Sequence, residues 1–200
     1  MKFVFVTLWA AFVATGLLSL SRYNRANGPL GDSQLVIPSD IAITPTPGVF
    51  NLIVSFHPHC PCSAASAEEL SKVLARTGDA LKVHVLLYQP ADVREDWTQT
   101  SLRQTLERLP HTTLHLDTDG KQAARLGALT SGDAQLFAPD GKLLFHGGLT
   151  AARGHAGDND GRDAIVASVL GREKSLESTP VFGCRIHSPG DTLAEGDAVQ

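Results

Sequence analysis

The sequence predicts an α/β fold with a mixed, mostly parallel central sheet, and three observations carry that reading. Short apolar runs alternate with helix-patterned stretches from residue 49 onward, the last two runs flank a tight turn, and a cysteine pair sits where the first run meets the first helix.

Each element has its own warrant. Residues 49–56 (VFNLIVSF) are an unbroken apolar run, the mark of a strand buried on both faces. Residues 63–77 place Ala67, Leu70, Val73 and Leu74 at helical spacing. Residues 81–88 (LKVHVLLY) form a second strand. A helix over 95–109 follows, with Trp97, Leu102, Leu106 and Leu109 on one face and Pro110 as its stop. Residues 112–116 are a third strand, and a short helix over 121–126 is closed by Gly127. Ala138-Pro139-Asp140-Gly141 is a turn sequence, so 134–137 and 142–145 pair as a hairpin. The last helix covers 161–170, with Asp158, Asn159 or Asp160 as N-cap. In such an order, sites gather at the carboxyl ends of the parallel strands, which is where strand 49–56 delivers the cysteines.

Two hundred residues hold one domain with a proper core and little more. A net charge of −4 without a dense basic cluster argues against nucleic acid as a partner. Phosphate-binding loops and G-x-S-x-G elbows are absent. Three cysteines are too few for a disulfide-stapled scaffold, and their odd number leaves at least one thiol unpaired or only transiently paired.

Residues 3–20 carry no charge, and at 1.5 Å per residue they cover about 27 Å, close to the ~30 Å hydrocarbon core of a bilayer. The nearest small-x-small cleavage site, Ala14-Thr15-Gly16, lies inside that run. Residues 1–25 are therefore read as a retained membrane anchor, with a cleaved signal as the alternative. Lys2 stands on one side and Arg22 and Arg25 on the other, so charge does not set the orientation. The lack of a second span and the paired cysteines place the domain outside the cytoplasm. Residues 26–46, rich in Gly, Pro and Ser, read as a tether lifting the domain off the bilayer. The domain itself takes 47–172, and 173–200 form a tail carrying Cys184.

His57-Pro58-His59-Cys60-Pro61-Cys62-Ser63 sets two thiols at a helix start, where free N–H groups and the helix dipole favour a thiolate. A nearby second thiol can resolve a mixed disulfide. The competing reading is two inert buried thiols. Loop 147–155 should emerge beside the cysteines, bringing His155 as a base and Arg153 as a cation, or else serving only as a turn. Cys184 can return to the site, because the thirteen residues 172–184 span up to about 43 Å when extended. There it would pair with Cys60, complete a ligand set, or simply pack. His84, His111, His115, His146 and His187 have no informative spacing and are read as surface or packed residues. Asp117-Thr118-Asp119-Gly120 is read as a turn rather than a calcium loop.

The element order around the cysteines resembles the thioredoxin superfamily. More narrowly, FHPHCPCSAAS, LGALTSGDAQLFAPDGKLLFHGGLTAARGHAGDNDGR and TPVFGC are similar to RedB-type envelope proteins, over residues 47–184. That resemblance implies a thioredoxin-like fold behind one transmembrane helix, periplasmic disulfide exchange on protein thiols, and no cofactor. It implies Cys60 as the attacking thiol, Cys62 as its partner, and Cys184, His59 and His155 as further catalytic candidates. Three departures stand out: CxC replaces the usual CxxC, Gly132 sits where a cis-proline is usual, and the first strand lacks a buried carboxylate, leaving proton transfer to His57 or His59. The alternative function is a copper or zinc handler using His57, His59, Cys60 and Cys62, and a third reading is a scaffold without chemistry.

Overall fold

The computed structural model describes residues 2–172 and 176–186, so His187 and the tail beyond it lie outside the described residues. Strands β1 (Phe50–Phe56), β2 (Leu81–Gln89), β3 (Thr112–Thr118), β4 (Asp133–Phe137) and β5 (Leu143–Gly148) form one sheet in the order β3-β2-β1-β4-β5. The first three run parallel, β4 runs antiparallel to β1, and β5 runs antiparallel to β4. Helices α2 (Ser63–Thr77), α3 (Ser101–Glu107), α4 (Lys121–Leu126) and α5 (Asp160–Val169) cover the sheet, and α1 (Lys2–Arg25) precedes it. This is the thioredoxin-like architecture that the sequence predicts.

The period-two alternation of β1 divides the core. Leu52, Val54 and Phe56 pack with Leu70, Val73 and Ile165 from α2 and α5, while Ile53 faces Leu86, Leu126 and Phe137 on the other side.

Two stretches differ from expectation. The helix over 95–109 is two pieces: a 3-10 turn, Glu95–Thr98, and α3. Thr100 is extended and accepts the Arg103 backbone N–H at 3.3 Å, so a threonine cap starts a new helix instead of continuing the old one. Leu102 and Leu106 keep the core face, and Trp97 turns toward the cysteine loop.

The segment 26–46 lies along the domain rather than standing off it. The Gly28 N–H donates to the Val181 carbonyl (2.8 Å), the Thr130 hydroxyl to the Pro29 carbonyl (2.7 Å), and the Gly31 N–H to the Gly127 carbonyl (3.0 Å). Val36 bridges Lys142 and the Leu143 N–H donates to the Leu35 carbonyl (2.9 Å) at the outer edge of β5, and Ile43 is buried in the second core. The physical reason is that its apolar residues cover surface and its backbone satisfies a sheet edge, which outweighs the Gly and Pro content read as flexible.

The Arg153-to-Arg162 stretch is anchored by one buried carboxylate. Glu69 on α2 accepts from Lys72 Nζ (2.7 Å), the Gly157 N–H (2.8 Å), Asn159 Nδ2 (3.1 Å) and Arg162 Nη1 (2.8 Å). Asn159 caps α5 by accepting the Arg162 N–H at 2.7 Å. Burial pushes the Glu69 carboxyl up, but the hydrogen bonds from Lys72, Gly157 and Arg162 outweigh it and hold the group below the usual carboxylate range. The motif therefore welds the 153–160 loop to the helix that starts at the cysteines. Replacing one partner leaves a buried charge poorly compensated. Arg162→Leu should cost about 3 kcal/mol in urea unfolding, the low end for breaking a buried pair, because Lys72 and Gly157 still reach Glu69.

His84, buried in β2, sits 3.3 Å from Asn51 Oδ1 and 3.4 Å from His115 Nε2. Burial, with His115 and Lys82 nearby, pushes it down to about 4, and burial lowers His115 as well. The neutral imidazole is the form that the fold accepts. Its contribution is present above the ordinary histidine value near 6.5 and is lost as pH falls toward 4. Wild type should lose unfolding free energy across that window, and His84→Gln should flatten that part of the profile.

Candidate active site

The carboxyl end of β1 runs directly into the cysteine loop. Phe56 ends the strand and His57 to Cys62 make a tight turn, with the Cys60 N–H donating to the His57 carbonyl and the Ser63 N–H to the Cys60 carbonyl, both at 3.1 Å. Cys62 is the N-cap of α2, so Cys60 stands just ahead of the free N–H groups of a fifteen-residue helix. All three cysteines are free thiols.

The chain brings Cys184 back to this point. Ser131 N–H donates to the Cys184 carbonyl (2.8 Å), Ile186 N–H donates to the Leu129 carbonyl (2.9 Å), and Thr130 and Arg185 form an antiparallel bridge. The Cys184 N–H then points at Cys60 Sγ, 3.3 Å away. A hydrogen bond from the Cys184 thiol lowers the Cys60 pKa to about 5 against the opposing effect of burial, with further help from Ser63 and the backbone N–H groups of Cys184 and Cys62. Cys184 is correspondingly pushed up, because giving away its proton would cost it the bond to Cys60. Cys62 is raised by burial and by the neighbouring Cys60 charge, while Arg153 pulls it back down. The three groups are thus shifted apart, with the thiolate favoured at Cys60 and the thiol at Cys62 and Cys184.

Ser63 and Ser131 support this arrangement, and neither was singled out from spacing. Their hydroxyls are 2.7 Å apart, and Ser131 Oγ accepts the His57 backbone N–H at 2.8 Å. A serine after a helix start is ordinary, and Ser131 enters only because the β4 approach folds against β1. No sequence signal marks it. Among the described residues there is no cis peptide bond, and Gly132 stands at φ +92° immediately before β4.

The predicted histidines are placed differently from the sulfurs. His57 stacks on Tyr88 with ring centroids 5.2 Å apart, and its Nδ1 accepts the His59 N–H at 3.2 Å. His59 lies 4.4 Å from the Trp97 ring, and its Nε2–H donates to the Trp97 carbonyl at 2.9 Å. Among the described residues no group of three or more His, Cys, Asp or Glu side chains converges as a metal-holding set, so His57, His59, Cys60 and Cys62 do not form one here. His155 is exposed and lines a surface pocket with Leu17, Leu20 and Arg25 of α1 that includes none of the three cysteines. Arg153 is the residue of that loop that faces the sulfurs. Its Nη1 donates to the Gly183 carbonyl (2.6 Å), its Nε to the Ala26 carbonyl (3.0 Å), and it lies over the Tyr23 ring.

The absent β1 carboxylate has a neighbour. Asp133, the ladder partner of Ser55, is fully buried, with its carboxylate 3.0 Å from His146 Nε2. Burial raises its pKa against the lowering effect of His146. A cleft of about 410 Å³ opens on Cys60 from the side of α3, lined by Pro58, His59, Pro61, Ala64, Thr100 and Thr105 among others.

No protein-family description matches the chain, and no curated protein matches it in sequence. Solved structures do. An uncharacterized conserved protein from Geobacillus kaustophilus is 19% identical, covering 82% of this chain and 94% of that one, with a TM-score of 0.58. A hypothetical protein from Sinorhizobium meliloti is 21% identical over 71% of this chain and 81% of its own, with a TM-score of 0.57. A secreted Mycobacterium tuberculosis disulfide oxidoreductase homologous to E. coli DsbE is 17% identical over 62% of this chain and 83% of its own, at TM-score 0.43. For the first two, at these identities, the likeness is one of fold.

The thiolate reading has a direct check. In a Cys62→Ser background, the rate of Cys60 alkylation by iodoacetamide should be low under acid, rise through about pH 5 and level off above it. Adding Cys184→Ala removes the thiol donor and should move the midpoint upward.

Proposed function

The chain carries a thioredoxin-superfamily fold, and on that premise we propose that it is a membrane-anchored thiol–disulfide oxidoreductase of the cell envelope, of the RedB-like kind, acting on protein thiols or disulfides. The observation that carries this reading is the placing of Cys184 against Cys60, its backbone N–H 3.3 Å from Cys60 Sγ, which with the Cys184 thiol lowers the Cys60 pKa to about 5 and favours the thiolate at neutral pH. Cys60 is only 5% exposed, but what covers it includes a partner thiol, so burial here is part of the chemistry rather than evidence against it.

The steps balance as follows. Cys60 thiolate attacks one sulfur of a substrate disulfide, forming a mixed disulfide and releasing the other sulfur as a thiolate. A second protein thiol loses its proton to the released thiolate or to solvent and attacks Cys60 Sγ, which frees the substrate's remaining thiolate. The substrate gains two electrons, and the protein dithiol becomes a disulfide; the same steps reversed oxidise a substrate dithiol. Cys184 is the better-placed second thiol, since its backbone N–H and thiol both address Cys60, whereas Cys62 must close a tight ring across one proline. Arg153 stabilises negative charge at Cys62 and Cys184 during that attack.

The N-terminal helix Phe3–Arg25 is long and apolar enough to cross a membrane and is not buried by the domain. It is read as the anchor, with the domain on the periplasmic side of a bacterial inner membrane. Copper or zinc binding is not favoured by the geometry, because His57 and His59 engage Tyr88 and Trp97.

Oxidising the reduced protein with glutathione disulfide and mapping its cysteines by mass spectrometry should show Cys60–Cys184 as the main internal disulfide. Cys60→Ser should abolish exchange, and Cys184→Ser should leave a mixed disulfide with glutathione trapped on Cys60. Exchange that persists in Cys60→Ser would refute the reading.

A further inference from the structure

We propose that the end of the N-terminal helix is a working part of the cysteine site: Tyr23, Asn24 and Ala26 hold Arg153 in place, and through it they set how fast a second thiol closes onto Cys60. The inference deepens the oxidoreductase reading by naming what regulates the site, and its kinetic consequence rests on that reading.

Arg153 is gripped from the helix side by three contacts. Its backbone N–H donates to the Asn24 carbonyl (3.0 Å), its Nε–H donates to the Ala26 carbonyl (3.0 Å), and its guanidinium carbon lies 5.2 Å from the centre of the Tyr23 ring. All three come from the last turn of α1 and the residue that follows it. On the far side Nη1 donates to the Gly183 carbonyl at 2.6 Å, one residue before Cys184. A guanidinium is a planar fork, so a ring against its face and a carbonyl at Nε together fix the direction of its other donors. Those donors address Cys62, and the positive charge lowers both Cys62 and Cys184 against the effect of burial. The donors that lower Cys60 are instead Cys184, Ser63 and Cys62.

The loop that carries Arg153 runs between two helices. Its Gly157 N–H is fixed on Glu69 of α2, and Ala152 and His155 line a surface pocket with Leu17, Leu20 and Arg25 of α1. The sulfurs are held by β1, α2 and the 129–131 edge, so a shift of the helix end moves the cation relative to them. Tyr23 is 59% exposed and adds little to the core, which makes its substitution a test of position rather than of folding. It is a positioning residue, acting through Arg153. The step it governs is the second one. With Cys60 joined to a substrate sulfur, the second thiol gives its proton to solvent and attacks Cys60 Sγ. The internal S–S bond forms, the bond to the substrate breaks, and the substrate leaves as its thiolate. A cation held nearby favours the attacking thiolate.

The test uses the full-length chain in phospholipid nanodiscs. The titratable and charged groups around Cys62 are Cys60, Cys184 and Arg153, with Arg25 and His155 at the helix side of the loop. In a Cys60→Ser, Cys184→Ser background, the pH profile of iodoacetamide alkylation reads Cys62 alone. Tyr23→Ala should move its midpoint upward by about half a pH unit, roughly a threefold loss of thiolate, the size expected of one cation–ring contact. Tyr23→Phe keeps the ring and should keep the midpoint. Arg153→Gln should move it at least as far as Tyr23→Ala, and adding Tyr23→Ala to Arg153→Gln should change nothing more. An unmoved midpoint in Tyr23→Ala overturns the proposal, as does a shift that persists in full without Arg153. With all three cysteines present, glutathione disulfide is mixed in, and acid-quenched samples are read by mass spectrometry. In Tyr23→Ala the Cys60–glutathione disulfide should form at the wild-type rate and convert to the internal disulfide about threefold more slowly. Equal slowing of both steps counts against the proposal. Absence of glutathione exchange in the wild type, with the Cys62 midpoint still shifted by Tyr23→Ala, would instead remove the oxidoreductase reading and leave the positioning role standing.

Discussion

The arrangement depends on one contact, the donation of the Cys184 backbone N–H and thiol to Cys60 Sγ. A thiolate at a helix start gains from the dipole, but a buried sulfur pays for ionisation in lost hydration unless donors replace the water. Here the donors come from a strand 124 residues away in sequence. That strand seats only because the β4 approach at 129–131 offers it a free edge, and because Gly183 lets it come close.

The same constraint explains what surrounds the site. Arg153 must reach both the Gly183 carbonyl and the sulfurs, so its loop has to be rigid, and Glu69 makes it so by gathering Gly157, Asn159 and Arg162 onto α2. The buried carboxylate is thus part of the support of a cysteine cluster it does not touch. The segment after α1 closes the other side, since Gly28 binds Val181 and Ala26 binds Arg153. The exit of the apolar helix and the cysteine strand are consequently held by a shared arginine.

Much of the fold was legible because periodicity reports burial directly. The unbroken apolar run of β1, the turn at Ala138 to Gly141 and the Asn159 cap are local facts, and each of these elements stands close to where pattern and capping chemistry put it. The break at Thr100 was not legible, since Trp97 fits a helical stripe as well as it fits an aromatic cluster, and only the packing of His57, Tyr88 and Trp97 decides between them. The segment 26–46 misled for the opposite reason: its composition is that of a linker, but a few apolar residues suffice to dock it when a sheet edge needs covering.

The sequence alone determined the cysteine loop at a strand-to-helix junction, the alternating α/β order and the apolar N-terminal helix, because each is encoded in neighbouring residues. Tertiary structure alone decided which sulfur faces Cys60, that Arg153 rather than His155 meets them, and that His57 and His59 turn to aromatic partners. Those outcomes depend on contacts between segments tens of residues apart. Spacing bounds what such segments can reach, and packing selects what they do reach.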